Sequence, residues 1–251
     1  MIIEIPSSLV SLSLYEITGK RKQTKDIARY IERNPYDVTK KDKKTGFVGK
    51  GHLEKGRLAS LLVFPLEDIR HNIVFKNNMI KYLPKRLLYM DKVILVYNEE
   101  GFFEIIGMNH RNQNIIKKEL EKLQVELNID INHYPTLTPI TISNLLISHG
   151  RDDLRISRLA YYLEEYGENI KRYEYGSNLI AKLVSLQKVN TEIFAIAGNA
   201  TTSGVRISFY IRKYGKVIIY NKVKTPLMWN NVFRFLDEII YEGSERTEAI
   251  K

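Results

Sequence analysis

The sequence predicts an α+β protein of two similar halves, each with helices followed by a β-hairpin or small antiparallel sheet and a closing helix. Three observations carry that expectation. Segments with apolar residues at helical spacing are followed by segments that alternate with period two. A stretch with Pro135 and Pro139 interrupts the chain near its middle. Short blocks also match between the halves. Ile27-Ala28-Arg29-Tyr30-Ile31-Glu32 resembles Leu159-Ala160-Tyr161-Tyr162-Leu163-Glu164, and Arg57-Leu58-Ala59-Ser60-Leu61 resembles Lys182-Leu183-Val184-Ser185-Leu186. The expected divisions are residues 1–131 as an N-terminal half with a basic Gly/Lys loop, 132–141 as a linker, and 142–251 as a C-terminal half with a basic antiparallel hairpin.

In the first half, Lys25 to Arg33 reads as a helix with Thr24 as N-cap, stopped by Asn34-Pro35. Residues 39–51 read as a loop holding Lys40, Lys41, Lys43, Lys44 and Lys50 among Gly46, Gly49 and Gly51. A second helix is expected from about Leu53 to Val63, before Pro65. The segment between Pro65 and Pro84 has no clear assignment. Val93–Val96 and Phe102–Ile106 are apolar strands joined by a turn at Asn98-Glu99-Glu100-Gly101. Ile116, Leu120, Leu123 and Leu127 then mark one face of a helix over 112–127.

In the second half, helices are expected near 142–148, 153–166 and 177–187. Strands follow near 192–197, 205–212 and 216–223, with Gly198 to Gly204 as a connection. Thr225 and Pro226 open a last helix whose stripe of Trp229, Val232, Phe233, Leu236, Ile239 and Ile240 reads as core. Helix, loop, helix and hairpin in that order resembles a winged helix, in which a recognition helix enters the major groove. The order of elements alone carries that resemblance.

Charge separates the function classes. The chain has net charge +10, and it is concentrated. Lys20 to Arg57 holds 13 Lys/Arg against 5 Asp/Glu, and Val205 to Lys224 holds 6 Lys/Arg and no acid. Two basic patches on an otherwise slightly acidic body point to phosphate as a partner. A solvated face of a Lys-, Ile- and Asn-rich chain is the alternative.

The second patch has the sharper pattern. Val205, Ile207, Phe209 and Ile211 alternate with Arg206, Ser208, Tyr210 and Arg212. A three-residue turn, Lys213-Tyr214-Gly215, sets Arg212 opposite Lys216, Tyr210 opposite Ile218, Ser208 opposite Tyr220 and Arg206 opposite Lys222. Like charges directly opposed weaken a sheet, so a basic face with two tyrosines reads as a phosphate- and base-contacting surface. The expected nucleic-acid-binding residues are Lys40, Lys41, Lys43, Lys44, Lys50, Arg57, Arg206, Tyr210, Arg212, Lys213, Lys216, Tyr220, Lys222 and Lys224.

Other chemistry finds little support. With no cysteine there is no disulfide, thiolate zinc site, iron–sulfur cluster or cysteine nucleophile. The five histidines are scattered, and none pairs with another at ligand spacing. No stretch matches the phosphate-loop pattern G-x-x-x-x-G-K-[ST]. The expectation is therefore no catalytic residue, no metal and no cofactor. No run of about 18 apolar residues exists, and MIIEIPSSLV has no basic region before its apolar stretch. A cytoplasmic protein without a membrane partner is expected. Its partner would be nucleic acid, DNA in preference to RNA, with a protein partner as a further option. The expected role is a DNA-binding regulator or replication initiator. The alternatives are a non-catalytic subunit of a larger nucleoprotein complex, such as a guide-dependent defence complex, and a metal-dependent nuclease with dispersed carboxylates.

Overall fold

The computed structural model of the protein describes residues 9–18, 24–37, 39, 44–53, 56–76, 79–147, 154–165, 168–177, 179–189, 191–202, 204–220 and 228–241. Among them the chain forms β1 (Leu9–Thr18), α1 (Thr24–Arg33), β2 (Gly46–Leu53), β3 (Arg57–Lys76), β4 (Met79–Asn98) and β5 (Phe102–Ile106). It continues with α2 (Gln113–Leu127), β6 (Asp130–His133), α3 (Pro139–Ile147), β7 (Arg155–Glu165), β8 (Glu168–Tyr175) and α4 (Ile180–Lys188). The last elements are β9 (Ile193–Thr202), β10 (Val205–Arg212), β11 (Lys216–Tyr220), α5 (Trp229–Phe235) and π-helical turns at Leu236–Tyr241.

This overturns the expected fold class. The strands are not small hairpins in two similar halves; they follow one path, β2-β3-β4-β5-β1-β11-β10-β9-β7-β8, with β6 on β1. Of the expected helix at 53–63, Leu53 ends β2 and residues 57–63 open β3, and of the one at 153–166, residues 155–165 form β7. The winged-helix order falls with them, because the helix before the first hairpin does not exist. The matched blocks fall in unlike elements, α1 against β7 and β3 against α4. Residues 46–51 of the expected loop belong to β2. Gly198 to Thr202 lies within β9 rather than in a connection.

The chain divides into two compact units, Ile17–Ile131 and a discontinuous one of Met1–Glu16 with Asn132–Lys251. In Ile17–Ile131, β3 and β4 pair in antiparallel register from Arg57↔Asn98 to Lys76↔Met79. β2 accompanies β3 only between Arg57 and Val63, and β5 accompanies β4 only between Ile94 and Asn98. The remaining rungs form a two-stranded ribbon, which contains Pro65 and Pro84. A ribbon has outward-facing backbone positions where the missing proline N–H removes no ladder bond. At the ribbon's base the strands are buried on both faces, with Leu58, Ala59, Ser60, Leu62 and Phe64 all enclosed.

In the discontinuous unit the strand order is β1-β11-β10-β9-β7-β8. Ile207, Phe209 and Ile211 of β10 face one side with Val217, Ile219, Ile196 and Leu159, all buried. Helices occupy that side. Phe209 meets Phe235 of α5 with ring centroids 5.3 Å apart. Lys182 of α4 reaches Glu174 of β8, and Gln187 of α4 donates to Ser143 Oγ of α3. The apolar stripe of the last helix is core, as Val232, Phe233, Leu236, Ile239 and Ile240 are buried. No helix among the described residues is long and apolar enough to cross a membrane.

Candidate nucleic-acid interface

The hairpin of β10 and β11 has the register its turn dictates. Gly215 takes φ +60°, the left-handed conformation a three-residue loop requires. Arg212 then faces Lys216, Tyr210 faces Ile218 and Ser208 faces Tyr220. Arg206 and Arg212 are exposed, whereas Ile207, Phe209 and Ile211 are buried. The alternation thus divides β10 into a core side and a polar side.

Registers of the neighbouring strands carry the polar side across the sheet in rows. One row runs Tyr175, Arg158, Ala197, Tyr210, Ile218 and Ser11, from β8 through β7, β9, β10 and β11 to β1. The next runs Tyr173, Ala160, Ala195, Arg212, Lys216 and Ser13. On the other flank lie Arg155, Asn199, Ser208, Tyr220 and Leu9. Beyond them Arg206 sits beside Thr201.

Arg155 and Arg158 are three residues apart and would ordinarily point to opposite faces. They share one because of a β-bulge. Arg155 pairs with Asn199 and Arg158 with Ala197, two residues apart on β9, so Ser157 is the extra residue on β7. Gly198 permits the bulge. A Cβ there would stand 2.4 Å from the carbonyl oxygen of Arg155.

Aromatic rings interleave with these cations. The Arg158 guanidinium carbon lies 5.4 Å from the Tyr173 ring centroid, 5.3 Å from Tyr175 and 5.5 Å from Tyr210. Arg212 lies 5.9 Å from the Tyr210 ring. Each contact is within cation–π range. Tyr173 and Tyr175 stay 47% and 68% exposed, so ring surface remains open to a ligand. No ion pair among the described residues engages Arg155, Arg158, Arg206 or Arg212. Glu164 lies six residues along β7 from Arg158. Lys216 Nζ is 3.4 Å from Ser13 Oγ. Burial, then the adjacent Arg212, hold its pKa below the ordinary lysine value.

Other expected contact residues stand elsewhere. Lys213 is on the polar hairpin but is tied to Glu192 at 2.6 Å. Lys44 is exposed, and Lys50 of β2 is exposed and bonded to Glu32 of α1. That bond keeps the Glu32 carboxyl below its usual pKa. Arg57 corrects the expectation. It is 1% exposed and donates from Nη2 to Glu104 at 2.9 Å, so it belongs to the core and cannot present itself to a ligand. Lys40, Lys41, Lys43, Lys222 and Lys224 lie outside the described residues.

Sequence reasoning missed Arg155, Arg158, Tyr173 and Tyr175. A signal existed in β8, where Lys171, Tyr173 and Tyr175 alternate with Arg172 and Glu174. Among the described residues no cluster of three or more His, Asp or Glu could hold a metal ion. The chain matches no known protein-family profile, and no curated protein matches it in sequence.

Proposed function

We propose that the protein binds single-stranded nucleic acid on the polar side of the β1-β11-β10-β9-β7-β8 sheet, without chemistry of its own. One observation carries this reading: four arginines, without ion pairs among the described residues, interleave with Tyr173, Tyr175, Tyr210 and Tyr220 on one strand face. Single strands expose both phosphates and base faces, and a surface with both cations and free rings answers both. Duplex DNA hides its base faces, so the tyrosines would contribute little there. The role is that of a replication or regulatory protein acting in the cytoplasm, with DNA as the first substrate to test.

Fluorescence anisotropy with labelled oligonucleotides tests the reading. Four phosphates neutralised at about 0.7 each give a log–log salt slope near −2.8. Affinity then falls about 50-fold between about 50 and 200 mM salt. Failure to bind any single strand, or binding indifferent to salt, refutes it.

A further inference from the structure

The geometry points to Arg158 as a preorganised phosphate fork at the centre of this surface, with Tyr173 and Tyr175 as platforms for the flanking bases. The inference rests on the nucleic-acid reading and makes it specific. Three tyrosyl rings lie within 5.5 Å of the guanidinium carbon, on β8 at one side and β10 at the other. Arg158 spans that distance because the intervening β9 position is Ala197, whose methyl leaves a trough across the sheet. Each ring takes the guanidinium within cation–π range, and the N–H donors of the group are what a phosphate would engage.

Among the described residues, no acceptor takes a hydrogen bond from this group. Its Nε is enclosed and without a partner, whereas Nη1 and Nη2 are not enclosed, so these two groups are the donors a phosphate can reach. A planar fork of donors fits two oxygens of one phosphate, and a ring-held fork has little rotamer freedom left to lose on binding. Tyr173 and Tyr175 are two residues apart on one strand face, so their Cα atoms are about 6.6 Å apart along the strand. Successive bases on either side of the held phosphate therefore have open rings within reach. Arg155, brought to the same face by the Ser157 bulge, is placed for a neighbouring phosphate.

The test compares the full chain with Arg158→Ala, Arg158→Lys and Arg158→Gln, using labelled oligothymidine and mixed-sequence strands across a salt series. Thermal melts first establish that each variant is folded. A fork on one phosphate predicts that Arg158→Ala and Arg158→Gln lower the salt slope by about 0.7, and weaken binding about 5-fold at 0.1 M salt relative to 1 M. Arg158→Lys keeps the slope and still weakens binding, because an ammonium replaces the fork. An unchanged slope in Arg158→Ala and Arg158→Gln overturns the inference while leaving the nucleic-acid reading in place. A loss of base preference at constant slope overturns it too, by making Arg158 a reader of base edges. If the parent chain binds no single strand, the reading itself fails and the inference with it.

Discussion

Gly198→Ala reaches the surface through the backbone alone. The new Cβ would stand 2.4 Å from the Arg155 carbonyl oxygen and 3.3 Å from both the Arg155 carbonyl carbon and Ile156 Cα. These are backbone atoms of the β7 bulge, so no side chain can swing aside. β7 and β9 must separate by at least about 0.6 Å at that point to bring the oxygen contact to 3.0 Å. Overpacking of this kind costs about 1–3 kcal/mol. For a chain of this length each kcal/mol lowers Tm by about 2–4 °C. The displaced bulge is also what holds Arg155 and Arg158 on one face, so affinity for single strands should fall with stability. Urea unfolding and anisotropy on the same preparation measure both. A variant with parental midpoint and parental affinity would show that the bulge does not govern the arginines.

Arg57→Ala should cost about 3–5 kcal/mol in urea unfolding, since it strands Glu104 in the core. Arg57→Met with Glu104→Leu should recover most of that, and a folded double variant should bind nucleic acid with the parental salt slope. Phe209→Ala should lose about 3–5 kcal/mol of stability, because the ring packs on Phe235. Tyr220→Ala should stay within about 0.5 kcal/mol of the parent in stability, yet lose about 1–3 kcal/mol of single-strand affinity; the reverse pattern would exchange the two faces. Burial pushes the phenols of Tyr15 and Tyr134 up to about 12. The fold therefore favours their neutral form, and their contribution is complete below pH 10 and lost as pH rises from about 10 to 12. Tyrosinate absorbance should show a late-titrating class, and stability should decline across that window; titration of every tyrosine near pH 10 in the folded protein would contradict it.

Legibility in the sequence followed burial. β10 is enclosed on one side only, so its alternation and Gly215 gave away strand, turn and register. At its base β3 is enclosed on both sides, and its apolar run, Leu58, Leu61 and Leu62 among it, satisfies helical spacing as well. β7 was obscured by its own bulge. Ser157 shifts the alternation by one, so that buried Leu154, Ile156 and Leu159 no longer keep period two. The same shift hid Arg155 and Arg158, which as residues of a supposed helix had no reason to join Tyr210. Arg57 was miscast for a different reason. Its partner Glu104 is 47 residues away, and only strand pairing brings them together.

Ultraviolet cross-linking followed by peptide mass spectrometry locates bound single strands on, or off, the face shared by β8, β7, β9, β10 and β11. Irradiated complexes with oligothymidine should carry adducts on the peptides holding Tyr173, Tyr175, Tyr210 and Tyr220, and excess unlabelled strand should compete them away. Adducts confined to peptides of Ile17–Ile131, or none at saturating oligonucleotide, would contradict the account.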